Sequence, residues 1–218
     1  MEKLNVPLGE RAYDIIFEKD FSALEKCLDD INAPEKILVI TDKNVGGLYL
    51  DVVMSVISDS GRALVSCIFD AGEENKNIDT VIRLCKSCMD NELDRKSMII
   101  ALGGGVVGDM AGFCAALYMR GIDYVQIPTT LLSQSDSSVG GKTGVDFCGG
   151  KNLIGAFHQP RLVYINVSTL KTLPKREFIS GMGEVIKHGI IKDKDFFDYI
   201  DENSEGLASL DSSLMIKL

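Results

Sequence analysis

The chain has 218 residues, 45% hydrophobic and 25% charged, which excludes a disordered, fibrous or disulfide-stapled polypeptide and leaves room for one large domain, or one domain plus part of another. Its 23 Lys/Arg against 32 Asp/Glu give a formal charge of −9, which argues against nucleic acid or an anionic membrane as partner, because both need a basic footprint. Between Ala101 and Lys192 the balance reverses to +3, and the same window holds 15 of the 21 glycines. A glycine-rich, locally basic middle fits backbone approaching an anionic small molecule; it also fits a chance cluster of turn glycines.

The start, MEKLNVPLGERAYDIIF, lacks an apolar core behind a basic segment, and no window reaches the roughly 18 apolar residues of a membrane span. A cytoplasmic location with no membrane contact is therefore expected. The cysteines Cys27, Cys67, Cys85, Cys88, Cys114 and Cys148 show no framework spacing. Only Cys85 and Cys88 make a CxxC, inside a helix-like stretch with no second pair, so buried, reduced cysteines are expected rather than a zinc knuckle.

In chain order, LNVPLG and YDIIF flank a polar turn and predict a hairpin in the first 20 residues. KILVITD over 36–42 predicts a buried strand, VGGLYLDVVMSVISDSG a helix ending at Gly61, and ALVSCIFD over 63–70 a second strand. A helix follows over 79–93, then a strand over 97–102 running into Gly103, Gly104 and Gly105, the helix VVGDMAGFCAALYMR, and a strand over 124–127. Alternating strands and helices predict an α/β fold with a Rossmann-like parallel sheet covered on both faces. Beyond residue 168 the pattern is helical, with Pro174 just inside one start, and SSLMIKL stops in mid-pattern without a cap. The expected organisation is an α/β domain over 1–168 and the opening of an all-helical second domain over 169–218.

Three clusters carry chemistry. Gly103, Gly105 and Gly108 satisfy G-x-G-x-x-G after a strand and at a helix start, where free N–H groups and the helix dipole favour a pyrophosphate. The spacing alone is also met by a ligand-free tight turn, and no acidic residue ends the next strand as a ribose contact would require. The second cluster, PTTLLSQSDSSVGGKTG followed by GGKNLIG, places Asp136, Lys142, Lys151 and Asn152 on glycine-loosened loops beyond a strand end. Its GGKT is not a P-loop, because the first glycine of that motif would fall on Asp136. In the third, GEVIKH, Glu184, Lys187 and His188 share one helix face, as either a surface ion pair or a metal ligand with phosphate or proton-transfer partners.

In this order, LGGGVVGDMAGFCAALYMRG, IPTTLLSQSDSSVGGKTGVD, GKNLIGAFHQP and LKTLPKREFISGMGEVIKHGIIKD resemble the 3-dehydroquinate synthases, sugar-phosphate cyclases of the shikimate pathway. The resemblance is densest over 97–193. It implies NAD as cofactor, a divalent metal (zinc or cobalt) between two domains, and a homodimer. By resemblance, nucleotide contacts fall on Asp42, on Gly72, Glu73 and Lys76, on Gly104, Gly105, Val106, Val107, Gly108 and Asp109, and on Thr129 and Thr130. They continue at Lys142, Lys151, Thr169, Leu170, Lys171 and Thr172. Substrate contacts fall on Asp136, Lys142, Asn152 and Lys187, with Arg120 reaching the phosphate from a neighbouring subunit, and Glu184 matches a metal ligand. The family's other two ligands are histidines further downstream, so the metal site here is expected to be incomplete. His158 and His188 fall outside it and are expected to pack.

The family's reaction converts 3-deoxy-D-arabino-heptulosonate 7-phosphate to 3-dehydroquinate. NAD removes a hydride, inorganic phosphate is eliminated, the hydride returns, and an intramolecular aldol closes the carbocycle. Related readings are a 2-deoxy-scyllo-inosose or valiolone-type cyclase, a metal-dependent alcohol or glycerol dehydrogenase, or a non-catalytic NAD-binding domain. SQSDSSVGGKT and GEVIKHG speak against the dehydrogenases.

Overall fold

Uninterrupted apolar runs set the sheet. The structure, a computed structural model, describes residues 2–58 and 61–218. The first strands are β1 (Glu2–Val6) and β2 (Tyr13–Glu18), followed by helix α1 (Leu24–Asp30) and β3 (Lys36–Asp42). Next come a short turn of helix α2 (Lys43–Val45), a π-helical turn (Gly46–Leu50) and α3 (Asp51–Ser58). The chain continues through β4 (Ala63–Phe69), α4 (Ile78–Asp90), β5 (Met98–Gly103), α5 (Gly105–Leu117) and β6 (Asp123–Pro128). Strands β7 (Lys142–Phe147), β8 (Gly150–Phe157) and β9 (Leu162–Asn166) precede α6 (Lys175–Lys192), α7 (Lys194–Glu202), α8 (Ser204–Ala208) and α9 (Ser212–Lys217).

Seven strands form one sheet in the order β1-β2-β9-β6-β5-β3-β4, with only the β1–β2 pair antiparallel. The α/β reading therefore holds, and β3 is apolar from Ile37 to Ile40 and β5 throughout because both faces are covered. One face packs Leu38, Ile40 and Ile99 against α4 and α5; the other packs Ile37, Val39 and Ile100 against α1 and α3. A third core joins Tyr13, Ile15, Val163 and Ile165 to Val185, Ile200, Leu207 and Met215 of the C-terminal helices.

Three expectations need correction. The hairpin expected in the first 20 residues forms as β1–β2, but it is part of the main sheet rather than a separate unit: β2 pairs in parallel with β9, with Asp14 opposite Leu162. The segment expected to be loops is an antiparallel hairpin, β7–β8, lying on α5, and β9 was not expected at all. Glycine misleads at this hairpin because it serves close approach rather than looseness. A Cβ on Gly155 would sit 2.1 Å from the Thr143 carbonyl oxygen, and one on Gly144 2.6 Å from that of Ile154. The helix expected to end at Gly61 starts two residues early under an Asp42 cap and contains the π-turn; the part of that expectation falling on Asp59 and Ser60 lies outside the described residues. Gly61 itself adopts φ +78°, the left-handed conformation of a helix stop.

Candidate active site

The C-terminal ends of β3, β5 and β6 open onto a cavity of about 790 Å³. Such crevices are where open α/β sheets hold ligands. α5 begins at its rim. Its N-cap, Gly104, gives no side-chain cap, so the N–H groups of the first turn remain available to an anion. Gly108 and Gly103 serve packing: a Cβ on the former would meet the Gln126 Oε1 at 2.9 Å, and one on the latter Val107 Cγ2 at 2.4 Å. Of the residues expected at the nucleotide, Asp42, Gly72, Glu73, Lys76, Gly104, Gly105, Val106, Asp109, Thr129, Thr130, Thr169 and Thr172 line this cavity.

The others do not. Val107 and Leu170 are buried in the core, Gly108 is behind the rim, and Lys171 and Lys151 are exposed, the last ion-paired to Glu73 at 3.1 Å. Asp42 spends its carboxylate capping α2, accepting from the N–H groups of Asn44 and Val45 at 2.8 and 2.9 Å. Tyr49, not expected from sequence, hydrogen-bonds Thr172 Oγ1 at 2.5 Å and so ties the π-turn to the far wall. Its only sequence signal is an aromatic residue beside two glycines.

A second cavity of about 500 Å³ adjoins the first, sharing Asp109 and Ser137. It brings together Asp136, Lys142 and Asn152 as expected for the substrate side. Lys76, almost fully buried, links the two. Its ammonium donates to Asp109 Oδ2 at 2.6 Å and to Asn152 Oδ1 at 2.5 Å, and its carbonyl accepts from the Asp146 N–H at 3.0 Å. Burial pushes the Asp109 carboxyl up, and the Lys76 ammonium only partly opposes this. Asn152 sits at φ +54° with its N–H on Asp146 Oδ1 at 2.8 Å. A lysine only donates, so the Asn152 oxygen must face Lys76 and its NH₂ is left for the cavity.

On α6, Glu184 ion-pairs with Lys187 and lies 3.5 Å from His188 Nε2. The π-helical turn over Ser133–Ser137 carries Asp136 to the same place: ligand atoms of Asp136, Glu184 and His188 lie within 4.8 Å of one another. Two carboxylates and an imidazole suit a divalent cation of the zinc or cobalt kind. His188 therefore does not pack as expected; its side chain is 43% exposed and faces Glu184. His158 does pack, stacked on Tyr124 at 5.2 Å with Nε2 2.8 Å from the Ile122 carbonyl oxygen. Arg120 is exposed at the far end of α5, in a left-handed turn with Met119 and Gly121, and the fold does not bring it to either cavity.

A parallel sheet with an uncapped helix start at its carboxyl edge, beside a polar cavity with clustered carboxylates and ammonium groups, defines a nucleotide-site α/β enzyme scaffold. Residues 66–180 match the family model described as 3-dehydroquinate synthase N-terminal. The 3-dehydroquinate synthase of Acetivibrio thermocellus is 50% identical over 215 residues, covering 99% of this chain and 60% of that protein. That of Prochlorococcus marinus is 48% identical over 221 residues, covering 99% and 61%. The chain belongs to the 3-dehydroquinate synthase family, and it spans about 60% of the length of the curated relatives it matches.

Among solved structures, the 2-epi-5-epi-valiolone synthase of Streptomyces hygroscopicus, with NAD+ and Zn2+ bound, superposes with a TM-score of 0.85 at 29% identity, covering 94% of this chain and 58% of that one. A 2-deoxy-scyllo-inosose synthase complexed with carbaglucose-6-phosphate, NAD+ and Co2+ gives 0.79 at 28%, covering 86% and 52%.

Proposed function

We propose that this chain carries the nucleotide-binding part and the first metal ligands of a 3-dehydroquinate synthase: a phosphate-eliminating carbon–oxygen lyase acting on 3-deoxy-D-arabino-heptulosonate 7-phosphate with NAD and zinc or cobalt, in the cytoplasm. The observation that carries the reading is the pair of cavities meeting at Asp109 and bridged by Lys76, one edged by a helix N-terminus and the other by Lys142 and Asn152. Residues 1–168 form the nucleotide-binding unit in this reading, and 169–218 open the helical unit that contributes Glu184.

NAD, when bound, takes up and returns a hydride, and the divalent cation, when bound, supplies Lewis acidity toward the hydroxyl being oxidised. The first turn of α5 holds the pyrophosphate, with Thr129, Thr130, Thr169 and Thr172 along the cavity wall. Asn152 directs its NH₂ at the substrate because Lys76 holds its oxygen. Lys142 and Lys187 balance the charge of the departing phosphate. Asp136 and Glu184, with His188 beside them, hold the cation. Arg120 reaches the phosphate of a neighbouring site in a homodimer, which suits its exposed, left-handed turn.

Calorimetric titration with NAD tests the cofactor half of this reading: saturable binding at one site per chain is expected, and its absence sinks it. Phosphate release from the heptulosonate phosphate by this chain joined to a family C-terminal segment that supplies the two downstream histidines tests the rest: release is expected, and its absence overturns the reading. With Glu184 present but only His158 and His188 as histidines, the 218 residues alone are expected to bind NAD without turnover. Phosphate release above the protein-free rate by the purified chain would overturn that expectation.

A further inference from the structure

Three thiols converge between α4 and α5, away from both cavities. Cys85 and Cys88 project from α4, and the sulfur of Cys114 on α5 lies 3.6 Å from the first and 3.8 Å from the second. Cys114 and Cys88 are buried, whereas Cys85 is half-buried and within reach of a small solute. We propose that this cluster is a thiol oxidation site, in which a hydroperoxide converts Cys85 and Cys114 into a reversible disulfide joining α4 to α5.

The geometry assigns the roles. The Cys85 and Cys114 sulfurs are within hydrogen-bond reach, and this contact lowers the Cys85 thiol, whereas the contacts with Cys85 and Cys88 and burial push that of Cys114 up. The half-buried, solvent-reachable member is thus the better thiolate and the buried one the resolving thiol. In the first step the Cys85 sulfur attacks a peroxide oxygen, the O–O bond breaks, and Cys85 becomes a sulfenic acid as hydroxide leaves with a proton as water. In the second, the Cys114 sulfur attacks the Cys85 sulfur, the S–O bond breaks, the S–S bond forms, and a second water carries off the Cys114 proton. Two thiols lose two electrons and one hydrogen peroxide gains them. The sulfurs need to close from 3.6 Å to about 2.0 Å, a movement available to the half-buried Cys85 side chain. Cys88 then sits where its thiolate can attack Cys114 and release Cys85 by exchange. A metal is a poorer reading of the trio: among the described residues the group with ligand atoms within 4.8 Å of one another is Asp136, Glu184 and His188.

The test is stoichiometric hydrogen peroxide on the purified chain, followed by alkylation and a tryptic map. Trypsin cuts after Lys86, so peptides bearing Cys85 and Cys88 are separate. The expected result is a cross-linked peptide pair joining Cys85 to Cys114 within one chain, reversed by dithiothreitol, unaffected by Cys148→Ser and abolished by Cys114→Ala. The wild-type map decides the matter even if that variant folds poorly. Over-oxidation of Cys85 without a cross-link, thiol loss confined to the exposed Cys148, or a Cys88–Cys114 link formed equally fast in Cys85→Ser would each overturn the proposal.

Discussion

Lys76 ties the two cavities together through its ammonium. It is buried, it pairs with one carboxylate, and it fixes the orientation of an amide on a hairpin far along the chain. Replacing it by methionine keeps the bulk but leaves Asp109 without its counter-ion; losing one partner of a buried pair costs about 3 kcal/mol. Urea unfolding of Lys76→Met is expected to show a loss of that order, and adding Asp109→Asn is expected to recover part of it. Additive losses in the double variant would mean that the two groups do not sense each other.

The raised Asp109 carboxyl has its own pH signature. Its ordinary value is 3.8, and burial lifts it. The folded chain then binds that proton more tightly than the unfolded chain does. The contribution to stability is therefore full below 3.8 and is lost as pH rises through the raised value. Asp109→Asn removes this titration, so the difference in unfolding free energy should move in the variant's favour as pH rises through the acid range. A constant difference would show that the ion pair balances burial, and one moving the other way that it outweighs burial.

At the scale of elements, glycines of opposite meaning sit in similar-looking sequence. Gly155 lets β8 press against β7, and a Cβ there would overlap backbone that has no rotamer to yield. Gly183 lies on the exposed face of α6 with nothing within 4 Å of a Cβ. Gly155→Ala should lose about 2–3 kcal/mol by overpacking, whereas Gly183→Ala should gain about 0.5–1 kcal/mol from lower backbone entropy. Chemical denaturation of both reads the contrast, and an equal sign in the two would remove the close-approach argument.

The same contrast explains what sequence shows and hides here. β3, β5 and β6 are legible because the sheet buries their apolar runs, β4 because its apolar run persists at the half-exposed edge of the sheet, and α5 because its glycine turn follows β5 directly. The β7–β8 hairpin is not, since its glycines and polar residues serve contact with a partner strand rather than a core. Nor is the meeting of Lys76 with Asn152, 76 positions apart, because a contact made by tertiary packing leaves no local period. His188 was visible four residues after Glu184. Only the fold, by bringing the turn with Asp136 onto α6, makes it part of a donor set.

For the whole molecule, the question is whether the C-terminal helices are a unit of their own. α6 to α9 bury Val185, Ile200, Leu207 and Met215 in the same core as Tyr13, Ile15, Val163 and Ile165 of the sheet. Among the described residues they have no separate core, so a boundary near residue 168 separates sequence character more than packing. A shared core couples the free energies of the parts, and the chain should unfold in one transition with calorimetric and van't Hoff enthalpies in agreement. Saturating NAD, held by the sheet's carboxyl edge in the proposed reading, should then shift that whole transition upward, because ligand bound to the folded state stabilises every part unfolding with it. Two calorimetric peaks, of which NAD moves only one, would instead show that residues 175–218 fold as an independent unit against a preformed sheet.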